Sequence, residues 1–271
     1  MVKLAVFDID RTLVAPSVGY VAPETIEALH QLQQRGIKTA IASGRLFSFL
    51  QPELLEIGFD YYIMSNGGYV TDRTGTVLAQ ETVDDTVTEA LLQEMIRWGL
   101  PIDVRYCAGK STGNPDCSVV QWMRDYWRSR NFVSRPPKAM LTEYIPQKDE
   151  HPISFSGYIP PEDQAHFIRM FPQLAFLPVF EGPLCDINPA HVSKATGLET
   201  VCTLAGIHIH DTIAFGDDRN DLELIKAAGI GVAMGNSIQA VKDAADYVTT
   251  TSEELGVVAA LQHFGLVDQH S

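Results

Sequence analysis

The sequence predicts an α/β fold: an open, largely parallel sheet flanked by helices, with a second and smaller α/β domain inserted into it. Three observations carry that prediction. Leu4-Ala5-Val6-Phe7, Lys38-Thr39-Ala40-Ile41-Ala42 and Thr212-Ile213-Ala214-Phe215 are short apolar runs of the kind buried on both faces of a parallel sheet. The first two are separated by a single helical pattern, which makes a βαβ unit with parallel strands. From Thr82 to Cys185 the character changes, and all three tryptophans (Trp98, Trp122 and Trp127) fall in that block.

The first run ends in Asp8-Ile9-Asp10, two carboxylates at period two, with Thr12 close behind. In open α/β sheets, ligands bind in the crevice at the carboxyl ends of the strands. Two acids at such an edge repel each other and need a cation or a shared proton. Asp8 and Asp10 are therefore a candidate hard-metal site with a nucleophile built in, and the alternative is an ordinary Asp-containing turn. Pro23, Ile26, Leu29, Leu32 and Gly36 mark a helix of about a dozen residues with proline at its start and glycine as its stop. The strand Lys38–Ala42 then ends in Ser43-Gly44-Arg45, which puts the Ser43 hydroxyl at the same sheet edge as Asp8, either to hold a phosphoryl oxygen or simply to turn the chain.

A third strand, Asp60 to Met64, closes in Ser65-Asn66-Gly67-Gly68, and Tyr69 to Leu78 alternates as a hairpin about Asp72 to Gly75. Asn66 either reaches a ligand from the third strand end or adopts a left-handed backbone conformation. In the inserted block a helix is expected from Val83 to Trp98, a polar loop from Ala108 to Asp116, and a second helix from Pro161. The basic run Arg124, Arg128, Arg130, Arg135 and Lys138 reads as a solvated face over an aromatic core.

Asp186 to Lys194 precedes a helix ending near Gly206, and a lysine in a first helical turn opposes the helix dipole unless an anion faces it. His208 and His210 alternate and are expected on one strand face, as surface or core histidines rather than a metal pair. The run ending at Phe215 is followed by Gly216-Asp217-Asp218-Arg219-Asn220-Asp221, with a helix from about Leu222 and one more strand from Ile230 to Met234. Ser252 to Phe264 is expected to close the chain as an amphipathic helix.

Composition narrows the function classes. With 45% hydrophobic and 20% charged residues over 271 positions, the chain is globular and long enough for one large domain or two ordinary ones. A net charge of −14 opposes nucleic-acid binding, while a small phosphorylated substrate stays compatible because a bound metal inverts the local field. Cys107, Cys117, Cys185 and Cys202 form no CxxC pair, no window suits a membrane span, and the N-terminal run reads as a strand rather than a signal peptide. No membrane partner and a cytoplasmic location are therefore expected, and oligomeric state is not legible.

Each motif alone is weak, but their order and common position at strand ends are specific. DxDxT, then Ser, then Lys before a helix, then GDxxND resembles the haloacid dehalogenase superfamily of phosphohydrolases. SGR, SNGG, VSKATGL, FGDDRND and VAMGN are similar to its Cof-like branch. The resemblance implies a Rossmann-like three-layer core over residues 1–81 and 186–271, with an α/β cap over 82–185 that selects the substrate. It also implies a Mg²⁺-dependent phosphatase acting on a small phosphorylated metabolite, a sugar phosphate or similar, through an aspartyl-phosphate. In that frame Asp8 is the nucleophile and Asp10 the general acid and base, and Thr12, Ser43 and Lys194 bind the phosphoryl group. Asp8, Asp10 through its carbonyl and Asp217 hold the metal, an all-oxygen donor set that suits a hard ion, and Asp221 completes the acidic set as a further metal residue or as the orienter of Lys194. Arg45 and Asn66 are substrate or loop contacts, and Asn220 lies behind the residues that touch substrate.

Two rivals fit the same motifs: a sugar phosphomutase of the superfamily and a non-catalytic regulatory binding protein. The sequence also departs from the pattern. Arg11 stands where glycine is usual, which implies either backbone strain or a side chain turned to the substrate. Asp218 stands where glycine is common, and Ser237 where alanine is usual.

Overall fold

The structure is a computed structural model; it describes residues 1–100, 102–107, 111–113, 151–179 and 182–268. Two compact units are present, one formed by residues 1–43, 50–79 and 193–271, the other by 44–49 and 80–192.

In chain order the strands are β1 (Leu4–Phe7), β2 (Lys38–Ala42), β3 (Tyr61–Met64), β4 (Tyr69–Asp72), β5 (Val77–Gln80), β6 (Ile102–Arg105), β7 (Ser111–Gly113), β8 (Ser154–Tyr158), β9 (Leu174–Pro178), β10 (Leu184–Pro189), β11 (Thr212–Gly216), β12 (Ile230–Ala233) and β13 (Tyr247–Val248). The first unit holds a sheet ordered β13-β12-β11-β1-β2-β3-β4-β5 among the described residues. It is parallel from β13 to β3 and turns antiparallel at β4. β1 lies in the middle, with Leu4 opposite both Thr212 and Lys38. That central position is why its four residues are fully buried and apolar without alternation.

Side chains alternate across the strand, so Leu4 and Val6 meet one helical layer. Their cluster includes Leu198 and Val201 of the helix Lys194–Ala205, Leu224 and Ile225 of the helix Leu222–Ala227, and Val241 of the helix Gln239–Ala244. On the other face Phe7 stacks on Phe215 at 4.9 Å and meets Phe59 at 6.4 Å. The helix Pro23–Gln34 packs there against β2 and against the helix Gly256–His263. The core is thus a three-layer, Rossmann-like α/β sandwich, as the sequence predicts.

The second unit is a sheet ordered β7-β6-β8-β10-β9, antiparallel at each described pairing. Its apolar face, with Val104, Phe155, Phe176 and Ile187, is covered by Leu91 and Met95 of the helix Asp85–Arg97 and Phe167 of the helix Pro161–Met170. Asp84 caps the first of these helices, accepting from the Thr86 amide at 2.8 Å.

Four expectations are corrected. Ser111–Gly113 is a strand inside the stretch expected to be a polar loop, whose residues 108–110 and 114–116 lie outside the described ones. Asp186–Pro189, expected at the return to the first domain, belongs to β10 and pairs with β8 and β9, because its alternating side chains complete the second unit's core. His208 and His210 are not on a strand: Ile209–Asp211 form a 3₁₀ turn, and the two exposed rings stack at 5.0 Å. The closing helix is split by Leu255 at φ 58°, into a 3₁₀ turn Ser252–Glu254 and the helix Gly256–His263. Trp122, Trp127 and the basic run from Arg124 to Lys138 lie outside the described residues. No described helix is long and apolar enough to cross a membrane.

Candidate active site

The carboxyl ends of β1, β2, β3 and β11 are neighbours, so the loops that leave them meet at one edge. Asp8 leaves β1 with its amide donating to the Phe215 carbonyl at 3.0 Å, and its side chain is buried. The next residues form a tight loop in which Ile9 O accepts from the Thr12 amide (3.3 Å) and the Val14 amide (2.9 Å). Arg11, within that loop, adopts φ 65°. At the end of β2, the buried Ser43 donates its amide to the Ile63 carbonyl (2.8 Å) and accepts at its own carbonyl from Asn66 N (2.9 Å). Asn66 takes the left-handed conformation, φ 56°, and its Oδ1 accepts from Asn220 Nδ2 at 2.9 Å.

Lys194 is the first residue of its helix, behind a capping box made by Ser193 and Thr196. Gly197 lets this helix lie against β3, since a Cβ there would sit 2.2 Å from Ile63 Cγ2. The lysine side chain is 0% exposed, and the anion that its position demanded is supplied by the protein itself. Its Nζ donates to Asp8 Oδ1 and to Asp221 Oδ1, each at 2.6 Å. Asp221 Oδ2 in turn accepts from the amides of Asp217 (2.9 Å) and Asp218 (3.1 Å). Gly216 is required for this close turn, because a Cβ there would lie 2.4 Å from Asp221 Cβ.

Carboxylate oxygens of Asp8, Asp217 and Asp221 all lie within 4.8 Å of one another, and all three residues are buried. Asp10 is half-buried and its carboxylate is not part of this cluster. Burial raises Asp8 to about 7; Lys194 pulls against that, and the charges of Asp221 and Asp10 reinforce it. Asp217 is pushed up to about 9 by burial first and then by Asp8 and Asp221, against the opposing charge of Arg11. For Lys194, burial alone would lower the ammonium; the charges of Asp221 and Asp8 outweigh it and hold the group above its ordinary value. Three buried acids facing one buried lysine and the partly exposed Arg11 remain under-compensated, and the donors are hard oxygens. The residues fit a divalent ion such as Mg²⁺. At this edge two buried atoms, Thr12 Oγ1 and Asp217 Oδ2, remain without an aligned hydrogen bond.

Arg45 is half-buried and belongs to the second unit, with residues 44–49. The sequence left two outcomes for Arg11, and the structure shows the unusual backbone angle together with a side chain directed within the chain. Arg11 Nε lies 3.2 Å from Asp217 Oδ2, and its terminal nitrogen donates to Asn236 O at 2.8 Å. Asn236, absent from the sequence-derived site, returns a bond from Nδ2 to Arg11 O at 2.9 Å. Ser237 Oγ donates to Gly216 O at 3.1 Å and Asp218 accepts from the Arg219 amide at 2.8 Å, so both departures fold into the loop scaffold.

A parallel sheet carrying a lysine-bridged acidic cluster at its carboxyl edge has the charge and the oxygen donors to hold a divalent ion. A family model described as haloacid dehalogenase-like hydrolase matches residues 5–261, and the chain belongs to that family. It is 29% identical over 273 residues to a Streptococcus pyogenes protein named for phosphatase and peptidyl-prolyl cis-trans isomerase activities, covering 99% of this chain and 55% of that protein. The chain thus spans about half the length of that relative. Among solved structures it is similar to the phosphatase BT1666 from Bacteroides thetaiotaomicron (TM-score 0.86, 26% identity, 98% and 96% of the two chains). It is also similar to BT4131, described as a subclass IIB sugar phosphatase of the superfamily (TM-score 0.83, 26% identity, 98% and 100%).

Proposed function

We propose that the chain is a Mg²⁺-dependent phosphatase of small phosphorylated metabolites, sugar phosphates or similar, working through an aspartyl-phosphate on Asp8. The observation that carries this reading is the buried Lys194 Nζ at 2.6 Å from both Asp8 and Asp221. It fixes one carboxylate oxygen of Asp8 and leaves the other for attack on phosphorus. The new O–P bond forms as the ester P–O bond breaks, and Asp10 gives its proton to the departing alcohol oxygen. Water then attacks the acyl phosphate, Asp10 takes the water's proton, and Asp8 is regenerated with release of inorganic phosphate.

Lys194, Ser43 and Thr12 bind the phosphoryl oxygens; the orphaned Thr12 hydroxyl supports that role, since a phosphoryl oxygen would complete its bonding. Asp8, the Asp10 carbonyl, Asp217 and Asp221 would hold the ion, which when bound would neutralise the charge between carboxylate and phosphate. Asn220 and Asn66 brace the loops, with Arg45 as an outer contact. Choice among substrates is proposed to rest with the second unit, and the similarity to a sugar phosphatase supports the substrate class. The expected setting is cytoplasmic.

The test is phosphate release from a panel of phosphorylated metabolites, with and without Mg²⁺, for the wild type and Asp8→Asn. The reading requires Mg²⁺-dependent release that falls at least about a thousandfold in the variant. Release by Asp8→Asn at the wild-type rate would sink it.

A further inference from the structure

We infer that the Arg11 guanidinium is a resident cation that competes with the divalent metal for Asp217 and so weakens metal binding. The inference rests on the metal reading given above. A side chain at φ 65° is held in a conformation that L-residues avoid, so something must hold Arg11 there. Its guanidinium and carbonyl exchange bonds with Asn236 at 2.8 and 2.9 Å, and Asn236 Oδ1 accepts from the Ser252 amide at 2.9 Å. The guanidinium is therefore anchored to Asn236, which Ser252 in turn ties down, and does not sweep freely away.

What that anchoring presents to the acidic cluster is a fixed positive charge. Nε stands 3.2 Å from Asp217 Oδ2, close enough for an ion pair but not aligned as a hydrogen bond, so the buried oxygen keeps its accepting capacity. Asp217 is only 2% exposed while a third of the Arg11 side chain is open to water, so water screens the pair in part. A divalent ion held by Asp8, Asp217 and Asp221 would share that carboxylate with the guanidinium and be repelled by it. Each cation therefore weakens the hold of the other by the same factor.

The experiment is isothermal titration of Mg²⁺ into the metal-free full chain, for the wild type and Arg11→Gln, with Mn²⁺ as a second probe. Glutamine keeps a Cβ and a donor toward Asn236 but removes the charge. Arg11→Gly, which suits the positive φ, decides the matter if the glutamine variant does not fold. The expected result is metal binding about tenfold tighter than wild type, within the usual range of coupling between two sites. A residue that only ties loops together would give the opposite sign when removed. Equal or weaker binding by the variant, with measurable binding by the wild type, overturns the inference and leaves the metal site standing. No binding by the wild type or by either variant removes the metal reading and this inference together.

Discussion

Two buried carboxylate sites, one in each unit, are built on opposite principles. In the second unit Glu94 is buried and every lone pair in use has a donor: Trp98 Nε1 at 2.7 Å, His166 Nε2 at 2.9 Å and Arg97 at 3.1 Å. Those bonds, from His166 first, outweigh burial and hold the carboxyl below its usual range. In the first unit Asp217 is equally buried, yet Oδ2 has no aligned donor, and the carboxyl is driven up to about 9 by burial and like charge. A carboxylate that serves only the fold is satisfied by the fold. Asp217, proposed to hold a ligand, has only the unaligned Arg11 guanidinium opposite Oδ2, which offsets its burial and like charge in part and leaves the carboxyl raised.

The substitution that breaks this contrast most severely is Lys194→Met. It leaves Asp8 and Asp221 buried without their shared cation, so phosphate release is expected to fall by about three orders of magnitude. Unfolding in urea should show a loss of about 3–5 kcal/mol, as for other buried pairs deprived of one partner. Gly197→Ala attacks the same arrangement from its support: the new Cβ collides with Ile63 and lifts the lysine-bearing helix off β3. A stability loss of about 1–3 kcal/mol is expected, with a drop in kcat larger than any change in KM.

Titration sharpens the comparison more gently. In the metal-free protein Asp8 and Asp217 hold protons to about 7 and about 9, whereas in the unfolded chain they release them near 3.8. The folded state binds more protons across that interval, so metal-free stability falls as pH rises from about 4 through those values. Mg²⁺ at the proposed site would need the ionised forms, so the rise in melting temperature expected on adding it should grow between about pH 6 and 9. A shift independent of pH over that range would contradict the proton count. The smallest effect is assigned to Glu94→Gln, which removes the satisfied charge of the second unit. It should lower the urea midpoint and leave Mg²⁺ affinity unchanged by titration calorimetry; a changed affinity would erase the distinction between the two sites.

Much of the fold and of the candidate site is legible in the amino-acid sequence alone. Apolar runs that stop in Asp, Ser or Gly-Asp announce strand ends of a parallel sheet, and Lys194 at a helix start points to an anionic partner, though not to its burial. What the sequence hides, it hides for physical reasons. β7 has only three residues, too few for a period to show. His208 and His210 alternate like a strand, but their 3₁₀ turn is set by the local bonds that precede β11. Asp186–Pro189 matches the approach to the Lys194 helix, yet its side-chain alternation serves the other unit's core. The ties of Arg11 to Asn236 run through backbone carbonyls far apart in sequence, which no side-chain pattern records. The Glu94 network combines ordinary helix spacing with His166, 72 positions away.

The pairing of Leu4 with Thr212 has a consequence for synthesis. β1 is made well before β11, so one of its two edges has no partner until β11 has been made. Until then a four-residue apolar strand ending in Asp8 presents open amides and carbonyls, the kind of edge that recruits other chains. Asp8, directly beyond that edge, is ionised in the unfolded chain at neutral pH, and a charge at the end of an open strand opposes such association.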